Sequence, residues 1–228
     1  MTTESQTTLH YIYDPFCGWC YGLAPLLTEA TAFDDLRIVA HGGGMLANER
    51  ATKMSPDWRN FVRPHEARIT ALSGQQFSPE YQQVAQYNYD LELDSGPPTA
   101  AMLAAEALSG AGIQMLKRLQ TAYYVEGQPI ADRAVITRLA AELGLDATGF
   151  ASAYEQALQH LDEHFAQSAE MLAKVGGHGY PTLFIERDGK IEKLHLAQLL
   201  GKPERFRDLL RERLSSQPEN QAATAIAQ

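Results

Sequence analysis

The chain has 228 residues, of which 45% are hydrophobic and 21% charged, so it can bury a sizeable core. Acidic residues outnumber basic ones by 28 to 19, and the net charge of −9 argues against nucleic acid or anionic membranes as partners. Two cysteines are too few for a disulfide-stapled secreted scaffold.

The start of the chain lacks the pattern of a secretory signal. Its first five residues are polar, and no Lys or Arg occurs before Arg37. No stretch reaches the roughly 18 to 20 apolar residues that cross a bilayer. We therefore expect a cytoplasmic protein.

The first elements in chain order are a strand, a helix and a second strand. Residues 9–13 are rich in β-forming side chains and stop at Asp14-Pro15. A helix is predicted from the cysteine motif to about Ala30. Residues 36–40 form the next apolar run, which three glycines close. This order predicts a parallel βαβ unit.

The middle of the chain, up to residue 180, carries helix signals without a strand-like run. Gly144 stands where a glycine cap would end one helix. The apolar stripe from Phe150 to Phe165 predicts one long helix that continues toward Lys174. Helix N-caps are predicted at Ser55, Ser78, Asp132 and Asp146.

The last part of the chain returns to strands. Residues 182–186 and 190–194 flank a turn at Asp188-Gly189 and predict a β-hairpin, and a final helix follows Pro203. The order of elements predicts a small α/β domain, residues 1–43 plus 156–228, that is split by a helical insertion of residues 44–155.

The most informative motif is Cys17-Gly-Trp-Cys20. In a reducing cytosol, a lone Cys-x-x-Cys is typically catalytic or metal-binding. At the first turn of a helix, Cys17 would face unpaired N–H groups that favour its thiolate. Cys20 would lie one turn deeper, near enough to form a disulfide with Cys17. We therefore predict that Cys17 attacks a disulfide and that Cys20 resolves the mixed disulfide.

Residues 14–22 resemble the active-site segment of thioredoxin-fold proteins of the DsbA superfamily, especially its FrnE-like cytosolic branch. Segments at residues 43–45, 122–127, 141–146 and 179–183 follow in the order of that family, so the likeness covers about residues 9–210. The resemblance implies an α/β thioredoxin fold with a large all-α helical insertion. It also implies a thiol–disulfide oxidoreductase, for which we expect no bound cofactor.

The resemblance also implies a substrate site around Tyr180 and Pro181, joined by a cis peptide beside the sulfurs. Only X-Pro bonds adopt cis cheaply, at about 0.5 to 1 kcal/mol. Proline lacks an N–H, which leaves neighbouring backbone groups free to pair with an extended substrate. Thr182 would follow on the strand. Trp19, between the cysteines, is predicted to contact substrate as well.

Two departures from the family bear on redox direction. Strongly oxidising relatives have a histidine between the cysteines, where this chain has Gly18-Trp19, so we expect a milder couple. Many thioredoxin-fold proteins carry a buried carboxylate six residues before the nucleophile, and that position is Tyr11 here. We hypothesise that Asp14 or His178 moves protons instead.

Several readings of the function stay open at this point. Protein disulfides or small mixed disulfides are the expected substrates, with glutathione or a thioredoxin-type dithiol as electron partner, and the net direction and oligomeric state are undetermined. One alternative is a kappa-type glutathione-dependent isomerase or transferase, although those relatives generally have serine in place of Cys17. Another is a non-enzymatic, chaperone-like binding protein with incidental cysteines.

No metal site is predicted. The chain has no second cysteine pair, and its seven histidines are scattered. Residues 160–164 match the H-x-x-E-H string of some metalloproteases. Leu161 and Phe165 occupy the apolar stripe of that helix, however, so we interpret the string as a chance match.

Overall fold

A four-stranded sheet forms the framework that carries the cysteine motif. The computed structural model describes residues 6–215. The strands are β1 (Thr7–Tyr13), β2 (Leu36–Gly42), β5 (Thr182–Arg187) and β6 (Lys190–Lys193), in the order β2-β1-β5-β6. β1 pairs with β2 in parallel and with β5 antiparallel, and β5 and β6 form an antiparallel hairpin. The predicted βαβ start and the predicted hairpin are both confirmed.

The helix after β1 is divided where one continuous helix was predicted. α1 (Gly18–Gly22) carries the cysteine motif and α2 (Ala24–Ala30) follows it. The break falls at Leu23 because Pro25 has no N–H to donate to the helix. The final helix, α9 (Pro203–Ser215), packs against α2 and buries Phe206 and Leu210.

Between β2 and β5 in the sequence, the chain forms six further α-helices. They are α3 (Pro56–Ser73), α4 (Gly96–Ser109), α5 (Gly112–Tyr124), α6 (Arg133–Glu142), α7 (Ala147–Gln159) and α8 (Leu161–Lys174). Ser55, Asp132 and Asp146 are confirmed as N-caps, because each accepts a hydrogen bond from a backbone N–H in the first turn of its helix. Ser78 accepts a similar bond from the N–H of Tyr81 at 3.1 Å, one residue before Pro79, which is the N-cap of a short π-helix (Glu80–Val84). The fold is thus the α/β thioredoxin fold with a helical insertion.

Two sequence predictions for the middle of the chain are wrong. The segment is not free of strands, because β3 (Thr52–Lys53) and β4 (Glu92–Leu93) form a short antiparallel pair. The long helix toward Lys174 is also interrupted, at His160, where the backbone leaves helical geometry. The interruption lets α7 pack on α4 while α8 turns to pack on β2.

The hydrophobic core has two clusters that meet at the cysteine motif. One cluster lies among the helices of the insertion, and the other lies between the sheet and its flanking helices. Trp19 and Met45 pack against both. The predicted domain bounds stay a prediction, and residues 1–5 and 216–228 lie outside the described part of the chain. None of the described helices has the length and hydropathy that crossing a bilayer requires.

Candidate active site

The two cysteines differ in their position relative to α1 and in their exposure to solvent. Cys17 stands at the N-cap in an extended conformation, and its carbonyl accepts hydrogen bonds from the N–H groups of Cys20 and Tyr21. Cys17 keeps 8% of its surface exposed, whereas Cys20 is fully buried. Both are free thiols. This is the asymmetry that a nucleophile and a resolving thiol require.

Burial raises the pKa of the Cys20 thiol well above its ordinary value, and the neighbouring Cys17 raises it further. Cys20 therefore keeps its proton at neutral pH and needs a proton acceptor before it can attack. Tyr11 is not a suitable acceptor, because its own pKa is raised by burial and its hydroxyl donates a 3.4 Å hydrogen bond to the Cys20 carbonyl.

Tyr180 and Pro181 lie beside Cys17. Their peptide bond is cis, which confirms that prediction. The thiol of Cys17 donates to the Tyr180 carbonyl at 3.6 Å, so the sulfur and this loop are in direct contact. Thr182 is buried, and its hydroxyl donates to the Gly179 carbonyl at 2.8 Å. Its side chain thus holds the loop, while its backbone begins β5.

Asp14 is a fully buried carboxyl group at the end of β1. It accepts hydrogen bonds from the N–H of Phe16 (2.9 Å), the hydroxyl of Ser95 (3.0 Å) and the N–H of Met45 (2.6 Å). Burial raises the pKa of Asp14 to about 6, because the penalty on the charge outweighs these three donors. The carboxyl group ties the loop before Cys17 to the insertion.

His178 stands apart from this arrangement. It is exposed, and it forms no hydrogen bond or ion pair with another residue of the described range. Trp19 is half-buried, and its indole N–H donates to His65 Nδ1 at 3.4 Å. The guanidinium group of Arg68 lies 5.6 Å from the centroid of the Trp19 ring. A cationic side chain therefore borders the residue between the cysteines.

A cavity of about 200 Å³ opens next to the nucleophile, and we call it the Cys17 cavity. The insertion supplies most of its wall, which is largely aromatic. The wall is formed by Phe16, Cys17, Gly18, Trp19, Met45, Trp58, Phe61, Val62, His65, Glu66, Ile69, Tyr81, Tyr123, Tyr124 and Tyr180.

Glu66 is a buried carboxylate in this wall that the sequence analysis missed. It accepts hydrogen bonds from the Tyr81 hydroxyl (3.0 Å) and from the side-chain amides of Gln82 (3.3 Å) and Gln86 (2.7 Å). Burial raises its pKa. A signal was present, because Glu66 is four residues after Val62 and three before Ile69, within the inward face of α3.

Within the histidine string of residues 160–164, the partly buried His164 has a structural role. The Nε2 atom of His164 accepts a 2.9 Å hydrogen bond from the N–H of Gly42 and so fastens α8 to the end of β2. His160 is exposed and lies at the break just before that helix. Within residues 6–215, no group of three or more His, Cys, Asp or Glu side chains is placed to hold a metal ion.

Comparisons with known proteins agree with this geometry. The sequence model of the DSBA-like thioredoxin domain family matches residues 8–207. The cytosolic disulfide reductase DsbM from Pseudomonas aeruginosa is 44% identical, with 91% of this chain and 98% of that chain covered and a TM-score of 0.85. The same protein with GSH gives 42% identity, the same coverage of 91% and 98%, and a TM-score of 0.84.

A more distant structure shares the fold. It is a candidate protein disulfide isomerase from Nitrosomonas europaea, 23% identical, with 92% of this chain and 98% of that chain covered and a TM-score of 0.71. Among curated proteins, a sequence search found no match to this chain.

Proposed function

Because the chain belongs to the DSBA-like thioredoxin domain family, we propose that it is a cytosolic reductase of glutathione-containing disulfides. Its general activity is that of a thiol–disulfide oxidoreductase. The proposal adds a direction, a substrate class and roles for individual residues.

The reducing direction is supported by what surrounds the Cys17 sulfur. Its hydrogen bond within the described residues runs to the carbonyl oxygen of Tyr180, which can accept a hydrogen bond but has none to donate to a charged sulfur. Gly18 and Trp19 bring no cationic side chain between the cysteines. A cationic side chain there would stabilise the reduced, thiolate form and make the pair more oxidising, so its absence favours the reducing direction. The similar protein from Pseudomonas aeruginosa is named a disulfide reductase.

The reaction consists of two exchanges. The Cys17 thiolate attacks one sulfur of the substrate disulfide, and the other substrate sulfur leaves with the electron pair and takes up a proton. Cys20 then loses its proton and attacks the Cys17 sulfur. The second substrate thiolate leaves and is protonated, and a Cys17–Cys20 disulfide remains. Two electrons and two protons have passed to the substrate.

Asp14 is the proposed proton acceptor for Cys20. Its raised pKa of about 6 lies close to neutral pH, which suits a group that must both take up and release a proton. The carbonyl of Asp14 accepts a 3.1 Å hydrogen bond from the N–H of Cys17, so the residue is joined directly to the start of the cysteine motif. His178 is less suited to this role, because it is exposed and unattached to the site.

The substrate class is supported by the Cys17 cavity and its border. A cavity of about 200 Å³ can receive a small molecule or one peptide side chain beside the nucleophile. Arg68 next to Trp19 offers a positive charge to a carboxylate. The structure of the similar protein with GSH supports the same class. No bound cofactor is needed, because glutathione or a thioredoxin-type dithiol can restore the reduced cysteines.

The direct test measures turnover of glutathione disulfide, with a thioredoxin-type dithiol as the electron donor, by the wild type, Cys17→Ser and Cys20→Ser. We expect Cys17→Ser to be inactive and Cys20→Ser to accumulate a mixed disulfide with glutathione, visible by mass spectrometry. Glutathione transfer to an electrophile that survives in Cys17→Ser would support the kappa-type alternative. Suppression of protein aggregation that survives in the double serine variant, without turnover in the wild type, would support the chaperone-like alternative.

A further inference from the structure

Tyr124, the last residue of α5, has a hydroxyl group that the fold leaves without a partner. The side chain is only 2% exposed, and its oxygen has no hydrogen bond among the described residues. Leaving a buried hydroxyl unpaired is unfavourable, so the group requires an explanation. The ring is well held, between Tyr21 at 4.8 Å and Tyr123 at 4.8 Å.

The neighbouring phenols are all engaged. The hydroxyl of Tyr21 donates to the Gln76 carbonyl at 2.9 Å, and that of Tyr81 donates to Glu66. The Tyr123 ring packs edge-on against that of Tyr81 at 5.0 Å between centroids, and its hydroxyl is not among the buried side-chain atoms that lack a partner. The unpaired state of Tyr124 is therefore a property of its own position within the cluster.

That position faces the same cavity as the nucleophile, and with Cys17 in the thiol form the hydroxyl has no hydrogen bond to its sulfur. Tyr124 and Cys17 belong to the wall of the same cavity, and of the buried side-chain atoms without a partner in residues 6–215, only the Tyr124 hydroxyl belongs to that wall. Burial raises the pKa of Tyr124 well above 10, the phenols of Tyr81 and Tyr123 raise it further, and the two cysteine sulfurs make smaller contributions in the same direction. At neutral pH the group is a neutral hydroxyl that keeps its proton.

A charged sulfur at Cys17 would supply the missing acceptor. As a thiol, Cys17 donates to the Tyr180 carbonyl, but once ionised it can only accept, and that carbonyl offers it no proton. The indole N–H of Trp19 is already bonded to His65. We propose that the Tyr124 hydroxyl donates a hydrogen bond to the Cys17 thiolate and is a further catalytic residue. This assignment rests on the proposed role of Cys17 as nucleophile.

The hydroxyl would act without giving up its proton. When the Cys17 thiolate attacks the substrate disulfide, its electron pair forms the new S–S bond and the hydrogen bond weakens, while the departing substrate sulfur takes the charge and its own proton. When Cys17 is released again as a thiolate, the hydrogen bond returns. The residue stabilises the reactive form of the enzyme and leaves the balance of electrons and protons unchanged.

The test is the pH dependence of iodoacetamide alkylation at Cys17, with and without Tyr124→Phe, in a Cys20→Ser background in which Cys17 is the one remaining cysteine. The substitution keeps the ring and its packing. Loss of a hydrogen bond to a charged group should move the midpoint of the alkylation profile upward by about one pH unit, which is about a tenfold loss of thiolate below the midpoint. Stability to urea should be equal or higher, because the unpaired hydroxyl is gone.

Other ionisable groups around the cavity titrate in both variants and so cancel in the comparison. They are Glu66, His65, Tyr81, Tyr123, Tyr180 and the nearby Asp14. Tyr154→Phe is the matched control, because Tyr154 is buried on α7, packs against Phe150 and is absent from the wall of the Cys17 cavity. It should leave the alkylation profile unchanged.

Two results would overturn the assignment. One is an alkylation profile for Tyr124→Phe that coincides with that of its parent, and the other is a shift accompanied by lost stability, which would mark a packing role. The measurement needs no disulfide substrate. If the profile shifts and glutathione disulfide is nevertheless not reduced by the wild type, the proposed function fails while the role of Tyr124 stands.

Discussion

The Tyr180 hydroxyl donates a 2.8 Å hydrogen bond to the carbonyl of Gly43, and the Tyr180 ring lies directly over the α-carbon of that glycine. A Cβ atom at position 43 would overlap the ring. Residue 43, in the loop after β2, must therefore lack a side chain for Tyr180 to reach its carbonyl group. Since the Tyr180 carbonyl also contacts Cys17, this packing fixes the loop that faces the nucleophile.

Gly43→Ala should displace the Tyr180 ring and lower the free energy of unfolding by about 1 to 3 kcal/mol, as overpacking of a close contact does. Disulfide reduction should slow as well, because the loop beside Cys17 moves. Urea unfolding and turnover of glutathione disulfide measure the two effects. Gly179→Ala is the control, since a Cβ there would meet no atom within 4 Å, and it should stay within about 0.5 kcal/mol. Equal stability of both variants would contradict the packing argument.

Asp14→Asn should change how stability depends on pH. The pKa of Asp14 is about 6 in the folded chain and 3.8 as the reference value, so the folded state holds the proton more tightly. The stabilising contribution of Asp14 to the free energy of unfolding is fully present below pH 3.8 and is lost as pH rises through about 6. The amide cannot ionise, so the free energy of unfolding of the variant minus that of the wild type should rise by about 2 to 2.5 kcal/mol between pH 4 and pH 7. A difference that stays flat over this range would disprove the raised pKa.

His164→Phe should remove the acceptor of the Gly42 N–H and lower the free energy of unfolding by about 1 to 3 kcal/mol at pH 8. Burial lowers the pKa of His164, so protonation in the folded state is unfavourable. The contribution of the neutral ring is present above pH 6.5 and is lost as pH falls below it. The difference in free energy of unfolding between the variant and the wild type should therefore become smaller as pH falls below 6.5. His160→Gln, at the exposed residue just before α8, should have little effect at either pH.

Arg68→Gln should weaken the use of anionic substrates. Glutathione disulfide carries net negative charge, and the Arg68 guanidinium at the border of Trp19 is exposed, so a contact with a substrate carboxylate is modest and screened by salt. KM for glutathione disulfide should rise about twofold to fivefold at low salt, with little change for neutral hydroxyethyl disulfide. Arg211→Gln on α9 serves as the control. A rise in KM for both substrates alike would argue against recognition by charge.

Local signals made much of the fold predictable. The side chains of Ser55, Asp132 and Asp146 start helices because each can bond a backbone N–H two or three residues ahead. Asp188 and Gly189 both adopt positive φ, as the tight hairpin turn requires. The break at His160 was not predictable in this way, because α7 and α8 separate to pack against different partners, and the apolar stripe continues through the break.

The reactive cysteines could be predicted from a local sequence pattern, whereas the cavity beside them could not. Three-residue spacing was enough to single out Cys17 and Cys20, since one helical turn brings them together. Glu66 and Tyr124 come from α3 and α5, and only the packing of whole helices carries them to the cysteine motif. Short-range patterns in the sequence therefore could not predict that these two residues line the cavity.

Cys17 and Tyr180 touch each other although 163 positions separate them along the chain. During synthesis on a ribosome, the nucleophilic sulfur emerges early, and the loop that covers it follows only after the whole insertion has been made. Until then the thiol lacks the cover that the Tyr180 loop gives it in the folded chain. The placement of the insertion thus gives newly made chains an interval in which their reactive group is unprotected.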